Sequence, residues 1–304
     1  MTSPARQHVQ PIGTTDLSAG FLTRELKEGV FLLTNGNYQT IFFTTGEGIV
    51  LLDAPSPLMS YIQTAISDVT DERLRTLVYS HGHTDHIGGA AAVVGSQPDT
   101  AIEIIAEAGT TEFLVAKDDP ARPLPTFTYE KTFDEYIGAR HVRLFRDNFH
   151  SADGDTVLYL PDEKILVAID LMAPGWVPLL DFDITENVFS YMRAFDRFLA
   201  FDFDYFLSGH TADAAVRSDV ELTRDYVMDI YRTVKRLHDS INEKELLSEH
   251  RDSEQEGIKR IIDTVTRQAA DEIIDRWKDR TMRGTELWTE SHARAMVLYV
   301  RWSD

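Results

Sequence analysis

Three histidines and one aspartate within six residues constrain this chain more than any other feature of its sequence. The segment reads His81-Gly82-His83-Thr84-Asp85-His86, in a chain of 304 residues with ten histidines. In an extended stretch, His81 and His83 project to the same side, because side chains on a strand repeat every two residues. Where the chain turns into a helix, Asp85 and His86 point elsewhere and can hold a second cation. Imidazole and carboxylate suit zinc, and also iron or manganese, so the segment predicts a site for divalent cations.

Composition narrows the range of partners and metal ligands. Fifty Asp and Glu residues against 30 Lys and Arg give a formal net charge of −20, whereas binding to a nucleic-acid backbone needs a basic field. We therefore expect a small-molecule substrate, with neither nucleic acid nor a membrane as a partner. The chain has no cysteine, so any metal must be held by His, Asp or Glu.

The hydropathy pattern predicts where the protein resides. Residues 1–26 hold no apolar run long enough for the core of a secretory signal. No stretch reaches the ~20 apolar residues that a membrane-spanning helix needs. We therefore expect a cytoplasmic protein.

Short apolar runs bounded by turn residues predict strands on both sides of the histidine cluster. The turn signals Asn35-Gly36-Asn37 and Gly46-Glu47-Gly48 separate the first three runs, a pattern typical of an antiparallel meander. Helical stretches at 58–66, 87–94, 107–116 and 186–200 alternate with the later runs. The predicted strands are Val30–Leu33, Gln39–Thr45, Ile49–Leu52, Leu74–Tyr79, Ala101–Ile105, Thr126–Tyr129, Val142–Phe145, Thr156–Leu160, Ile165–Ile169 and Tyr205–Leu207. This alternation predicts two sheets covered by helices.

The chain divides into three parts by pattern. Residues 1–28 are interpreted as a loose lead-in, 29–215 as a catalytic domain and 216–304 as a helical C-terminal extension, where apolar residues recur at helical spacing. Amphipathic helices must bury their apolar stripe somewhere. Two partners are open: the catalytic domain, so that the helices wall its pocket, or a second copy of the chain, which would make the protein a homo-oligomer.

The segment His81–His86, followed by Ile87-Gly88-Gly89, resembles the signature of the metallo-β-lactamase superfamily. The resemblance extends over residues 29–212. It implies an α/β fold, a four-layer αββα sandwich whose ligands lie on loops at one edge, here followed by the C-terminal helical extension. It also implies an enzyme, a metal-dependent hydrolase.

Carried over position by position, the resemblance implies seven metal ligands. The first metal would be held by His81, His83 and His150, the second by Asp85, His86 and His210, and Asp170 would bridge the two. The implied cofactors are two divalent ions, zinc first, with iron or manganese as alternatives. A hydroxide between the metals would attack the substrate, and Asp85 would in addition orient that water or carry a proton.

Four further residues are candidates around the metals. Asp53 would either hold a ligand imidazole in place or cap the turn that follows it. Trp176 and Met172, in the loop after Asp170, and Tyr38, in the first hairpin turn, would contact an apolar substrate or simply pack their loops. With such contacts, the substrate would be a small, largely apolar ester, lactone, thioester or amide.

Four other functions remain open at this point. A β-lactamase-type amide hydrolase would use the same dinuclear site. A mononuclear iron oxygenase would use the same scaffold with one iron, and metal analysis with oxygen uptake would separate it. A nuclease is disfavoured by the acidic charge. A non-catalytic binding module should have lost ligands, yet all seven are present in the sequence.

Overall fold

The computed structural model describes residues 15–242, 253–280 and 282–304. Part of the predicted lead-in, residues 1–14, and part of the predicted extension, residues 243–252 and 281, lie outside the described residues. The strands are β1 Leu22–Lys27, β2 Val30–Thr34, β3 Gln39–Thr44, β4 Ile49–Leu52, β5 Leu74–Val78, β6 Glu103–Glu107, β7 Phe127–Tyr129, β8 Thr132–Ile137, β9 Arg140–Asp147, β10 Asp155–Leu160, β11 Ile165–Val167 and β12 Tyr205–Leu207.

The helices lie between and after these strands. They are α1 Met59–Ser67, α2 Thr84–Ile87, α3 Ala90–Gly95, α4 Ala108–Lys117, α5 Leu180–Ile184, α6 Val188–Leu199, α7 Arg217–Ser240, α8 Glu254–Trp277 and α9 Thr285–Ser303. Within the described ranges, none of these helices is both long and apolar enough to cross a bilayer.

The strands form two sheets. The larger sheet has the order β1-β2-β3-β4-β5-β6-β7 and the smaller one the order β12-β11-β10-β9-β8. The predicted meander is confirmed, since β2, β3 and β4 pair antiparallel in sequence. From β4 onward the larger sheet is parallel, and parallel neighbours need a crossover connection. That connection between β4 and β5 is α1, so the chain after β5 emerges at the edge where β4 also ends.

Alternation along the strands separates the layers. On β4, Ile49 and Leu51 face the cluster under α1 and α3, whereas Val50 and Leu52 face the cluster between the sheets. On β10, Leu158 faces that same middle cluster, while its neighbours face the outer helices. Because side chains alternate between the two faces of a strand, each sheet supplies two apolar surfaces. The result is the four-layer αββα sandwich that the resemblance implied.

Two elements differ from the sequence-based expectation. Residues 22–27, within the predicted loose lead-in, form β1 and pair along the whole of β2. This strand was missed because charged side chains interrupt it, yet one of them, Arg24, is buried and pairs with Asp213 far along the chain. The single helix predicted for 87–94 is two short helices, α2 and α3, separated by Gly88 and Gly89. The division into domains at residues 29 and 216 stays a prediction.

The C-terminal helices pack on the smaller sheet. α6 to α9 share one apolar cluster with Val157 and Leu166 of that sheet. Trp277 is buried in it and donates its Nε1–H to Asp229 at 2.8 Å. Trp302, by contrast, is 61% exposed. The apolar stripe thus finds a partner within the chain, and pairing with a second copy stays a prediction.

Candidate metal centre

The candidate ligands follow strand ends at one edge of the sandwich. His81 and His83 come directly after β5, and His150 follows β9. Asp170 and His210 follow β11 and β12, which pair in parallel and therefore end side by side. These strands end at the same edge of the sandwich. The polar residues that follow them therefore lie close together, although they are far apart in sequence.

The backbone is unusual at Asp170 and at Gly209, the residue before His210. Asp170 has φ 64°, a left-handed conformation that aspartate tolerates better than most side chains. Gly209 has φ 87°, and a Cβ there would lie 2.8 Å from Cγ2 of Ile169 and 2.9 Å from Cε1 of His86. Only glycine therefore allows the backbone before His210 to approach the His86 ring this closely.

The seven predicted ligands form two groups in space. Within each group, one candidate ligand atom per residue lies within 4.8 Å of the others. We call the first ligand group His81, His83, His150 and Asp170, and the second ligand group Asp85, His86 and His210. The structure thus brings together the sets that the resemblance implied.

Asp170, a member of the first ligand group, also faces the second ligand group, and one of its oxygens points to each. Its Oδ1 is 3.0 Å from Nε2 of both His86 and His210. Its Oδ2 is 3.4 Å from Nε2 of His81 and 3.8 Å from Nε2 of His150. A carboxylate with this placement can bind one cation through each oxygen.

Buried polar atoms in the centre lack ordinary partners. Nε2 of His81, Nε2 of His86 and Oδ1 of Asp170 are buried without a hydrogen bond, although the last two are only 3.0 Å apart. The pair is close but has no hydrogen-bond geometry. Buried polar atoms are rarely left unsatisfied in proteins, and one cation in each ligand group would satisfy all three. The residues present therefore fit a metal centre.

The protonation of the first ligand group suits a cation. Burial lowers the pKa of His81 well below its usual value, and burial also lowers the pKa of His150. Burial alone would raise the pKa of Asp170, but the nearby His86 and His210 outweigh it, so the pKa lies well below its usual value. Neutral imidazoles around an ionised carboxylate are the forms that bind metals.

His86 differs because carboxylates surround it. Burial opposes its protonation, but Asp170, Asp85 and Asp53 outweigh burial and raise the pKa of His86 to about 9. The same three carboxylates would attract a divalent cation, which replaces the proton on a ligand imidazole.

Two residues that sequence reasoning missed hold candidate ligands in place, one at the ring and one at the backbone. Oγ of Ser80 lies 2.9 Å from Nδ1 of His81. The carboxylate of Asp155 accepts the backbone N–H groups of His150, at 2.8 Å, and of Ser151. Such outer partners orient metal ligands. The available signal was their closeness in sequence: Ser80 is adjacent to His81, and Asp155 lies five residues after His150.

Asp53 acts on the site through the backbone. It is buried, and its Oδ1 accepts the N–H of Ser80 at 2.7 Å, one residue before His81. Its other oxygen is buried without a hydrogen bond, so in this structure the carboxylate is not bonded to a ligand imidazole. Burial raises the pKa of Asp53 to about 7, while His86 lowers it. The observed contact matches neither predicted role: Asp53 holds the turn that carries His81, not a ligand imidazole and not the turn that follows Asp53 itself.

The candidate substrate residues have different environments. The Tyr38 hydroxyl is 3.4 Å from Oδ2 of Asp85, and its ring lies 4.8 Å from that of His210. Trp176 is 38% exposed and lines a cavity. Met172 is only 1% exposed, lies in the core under the helices, and its carbonyl accepts the Ser208 hydroxyl. Met172 therefore packs inward and is not among the residues that line the cavity, so its burial gives no support to the predicted contact with substrate.

The cavity beside the second ligand group has a volume of about 860 Å³. The loop after Asp170 and the C-terminal helices line it together, and Arg283 ties them: its N–H donates to Gly175 O at 2.8 Å, and its carbonyl accepts the N–H of Val177 at 2.9 Å. The apolar lining includes Ala173, Pro174, Trp176, Val177, Leu179, Leu287 and Trp288, and the polar lining includes His210, Asp183 and Arg283. The C-terminal helices thus form part of the cavity wall.

Several known proteins are similar in sequence to part of this chain. Residues 33–210 match the model of the Metallo-beta-lactamase superfamily. The chain is 25% identical over 207 residues to the 2,4-dinitroanisole O-demethylase subunit alpha of Nocardioides sp., covering 66% of this chain and 60% of that protein. It is 22% identical over 251 residues to a linear primary-alkylsulfatase of Pseudomonas sp., covering 66% of this chain and 47% of that protein. The matches thus span about half of each relative's length.

A solved structure is similar over more of the chain. The stereoselective inverting sec-alkylsulfatase Pisa1 from Pseudomonas sp. superposes with a TM-score of 0.59 at 14% identity, covering 93% of this chain and 50% of that one. Because the family model ends at residue 210, this likeness of fold extends into the C-terminal helices. Given the two sheets, the ligand groups at their edge and the match over residues 33–210, the chain belongs to the metallo-beta-lactamase superfamily.

Proposed function

We propose that this chain is a dinuclear metal-dependent hydrolase that acts on a small, largely apolar ester, lactone, thioester or amide. One observation carries the proposal: the two oxygens of Asp170 face two different histidine groups, at 3.0 Å from His86 and 3.4 Å from His81. A single-metal site has no use for a second complete set of ligands.

The chain's own residues have distinct roles in such a reaction. Two divalent cations, when bound, supply an activated water and polarise the bond to be cleaved. Asp170 and the histidines hold those cations and keep them together. Asp85, which is partly exposed and lies 3.4 Å from the Tyr38 hydroxyl, can accept a hydrogen bond from the attacking water and take up its proton. The loop of Trp176 covers the apolar part of the substrate.

The cavity supports a substrate that is largely apolar. Half of its lining residues are aliphatic or aromatic, and Trp176 and Trp288 both contribute. Pockets of this kind bind the carbon body of a ligand, while a few polar groups orient it. The names of two relatives, an alkylsulfatase and an O-demethylase, describe removal of a sulfate group and of a methyl group that are bonded to an organic molecule through oxygen. Sulfate esters and aryl methyl ethers therefore belong in any substrate panel.

The test combines metal loading with such a panel. Purified protein would be stripped with a chelator, reloaded with zinc, iron or manganese, and assayed on carboxylic esters, lactones, thioesters, β-lactams, alkyl sulfates and aryl methyl ethers. We expect hydrolysis of at least one class, restored by metal and abolished by the chelator. Oxygen uptake with one iron per chain and no hydrolysis would overturn the proposal in favour of an oxygenase.

A further inference from the structure

A turn of left-handed helix lies over the metal centre. Four consecutive residues of α5 have positive φ: Asp181 at 51°, Phe182 at 58°, Asp183 at 57° and Ile184 at 55°. None of them is glycine, and each L-residue in this conformation costs roughly 1–2 kcal/mol. Such a turn persists only where the surrounding structure determines it.

This turn places Asp183 against the first ligand group. Its carbonyl oxygen is 2.7 Å from Nε2 of His150, the same nitrogen that lies 3.8 Å from Asp170. In this structure the contact is a hydrogen bond in which Nε2–H of His150 donates to the carbonyl. A cation bound at Nε2 would replace that proton and meet the same carbonyl oxygen. The Asp183 side chain lines the cavity, and its Oδ1 accepts the N–H of Leu179 at 3.1 Å.

Helix α9 holds the turn at three points. Nε2 of His292 is 2.8 Å from the carbonyl oxygen of Leu179, at the start of the turn. The N–H of Asp181 donates to Oγ of Ser291 at 3.0 Å. The Phe182 ring stacks on the His292 ring, with centroids 4.6 Å apart.

His292 is itself fixed by helix α7. It is fully buried, and its Nδ1 lies 2.9 Å from the Tyr226 hydroxyl. With the Leu179 carbonyl as an obligatory acceptor at Nε2, the neutral ring carries its proton there and accepts the Tyr226 O–H at Nδ1. Burial lowers the pKa of His292 to about 4, which keeps the ring neutral. A continuous set of contacts therefore runs from α7 through α9 to the turn and on to His150.

We infer that His292 is a positioning residue for the first ligand group: it holds the left-handed turn that keeps the Asp183 carbonyl beside His150. The C-terminal helices then contribute to metal binding and not only to the cavity wall. This inference rests on the proposed dinuclear site.

The test is a zinc titration of the full chain against a chromophoric chelator. His292→Phe keeps the stacking on Phe182 but loses the hydrogen bond to Leu179. We expect it to bind one of two zinc ions about tenfold more weakly, a usual loss when an outer partner of a ligand is removed. His292→Gln keeps a side-chain donor and should bind close to the native level.

Val265→Ala is the matched control, since it removes buried apolar volume from α8, in the same cluster, away from the turn. It should lower the melting temperature and leave both zinc affinities unchanged. Native zinc affinity in His292→Phe, or an equal loss in Val265→Ala, would overturn the inference. Because the titration needs no substrate, it stands or falls separately from the hydrolase assay.

A second variant tests whether backbone strain is the reason the turn needs support. Glycine adopts positive φ without the penalty of a side chain. Asp181→Gly in the His292→Phe background should therefore recover part of the lost zinc affinity. If the double variant binds zinc as weakly as His292→Phe alone, release of a strained turn is not the cause of the loss, and the inference fails in this form.

Discussion

Oδ1 of Asp170 lies 3.0 Å from Nε2 of His86, yet the two buried atoms make no hydrogen bond. The other oxygen of the same carboxylate faces His81 at 3.4 Å. In the proposed dinuclear site, one cation on each side of the carboxylate would account for atoms that are close but not bonded. The predictions that follow depend on this arrangement or on the cavity beside it.

Asp170→Asn tests the bridge. An amide carries no negative charge and joins two cations poorly. Loss of a direct ligand should cost at least as much as loss of a residue that only orients a ligand, so we expect hydrolysis to fall by at least about 100-fold. Bound metal should fall from two ions to one or fewer per chain. Asp134→Asn is the control, because Asp134 is an exposed carboxylate paired with Arg143 away from the site. Native turnover and native metal content in Asp170→Asn would refute the bridging role.

Trp176→Ala tests the cavity wall. Removing a half-exposed aromatic contact should raise KM roughly tenfold, since burial of a large apolar side chain is worth about 1.5–3 kcal/mol when complete. Metal content and kcat should change little. Trp302→Ala removes an exposed tryptophan that is not part of the cavity lining and should leave KM unchanged. An unchanged KM in Trp176→Ala for the best panel substrate would remove Trp176 from the substrate site.

Trp277→Ala tests whether the C-terminal helices belong to the core. Trp277 is buried and hydrogen-bonded to Asp229, so truncation should lower the free energy of unfolding by about 3–5 kcal/mol. Urea denaturation would measure it, with Trp302→Ala expected within about 0.5 kcal/mol of the native protein. A small effect at Trp277 would mean that these helices contribute little to the fold.

The pH dependence of stability tests the buried His292. Because burial lowers its pKa to about 4, the unfolded chain binds this proton first as the pH falls below about 6.5. Its contribution is present above pH 6.5 and is lost as the pH falls toward 4, by at most about 3 kcal/mol. His292→Gln should therefore lose less stability than the native protein between pH 6.5 and 4. Parallel pH curves would show that His292 is not buried in its neutral form.

Sequence patterns could predict two sheets covered by helices and the cluster at His81–His86 because both have local signals, whereas the family resemblance implied the other ligands. Strands such as β4 are short, continuous apolar runs, and His81 to His86 form one compact segment at a strand end. Asp170 and His210 also follow short apolar strands, whereas Arg146, Asp147 and Asn148 come shortly before His150. The residue types of the ligand groups could therefore be predicted from the sequence, whereas the distances between them could not.

What could not be predicted depends on contacts between distant residues. Nothing local identifies residues 181–184 as left-handed, since the segment has no glycine, and its support comes from Ser291 and His292 more than 100 positions later. Arg24 in β1 is charged yet buried, because Asp213 meets it from another loop. Met172 has a side chain suited to a pocket, but the loop turns it into the core.

Metal content is the most direct measure of the central claim. Inductively coupled plasma mass spectrometry on purified, buffer-exchanged protein should find two divalent ions per chain, with hydrolysis rising to its maximum only when both are bound. In a metal-loaded crystal, anomalous scattering should place them about 3.5–4 Å apart, as in other two-metal sites, with Asp170 between them. Full activity with a single ion per chain, or two ions that do not share Asp170, would contradict the account.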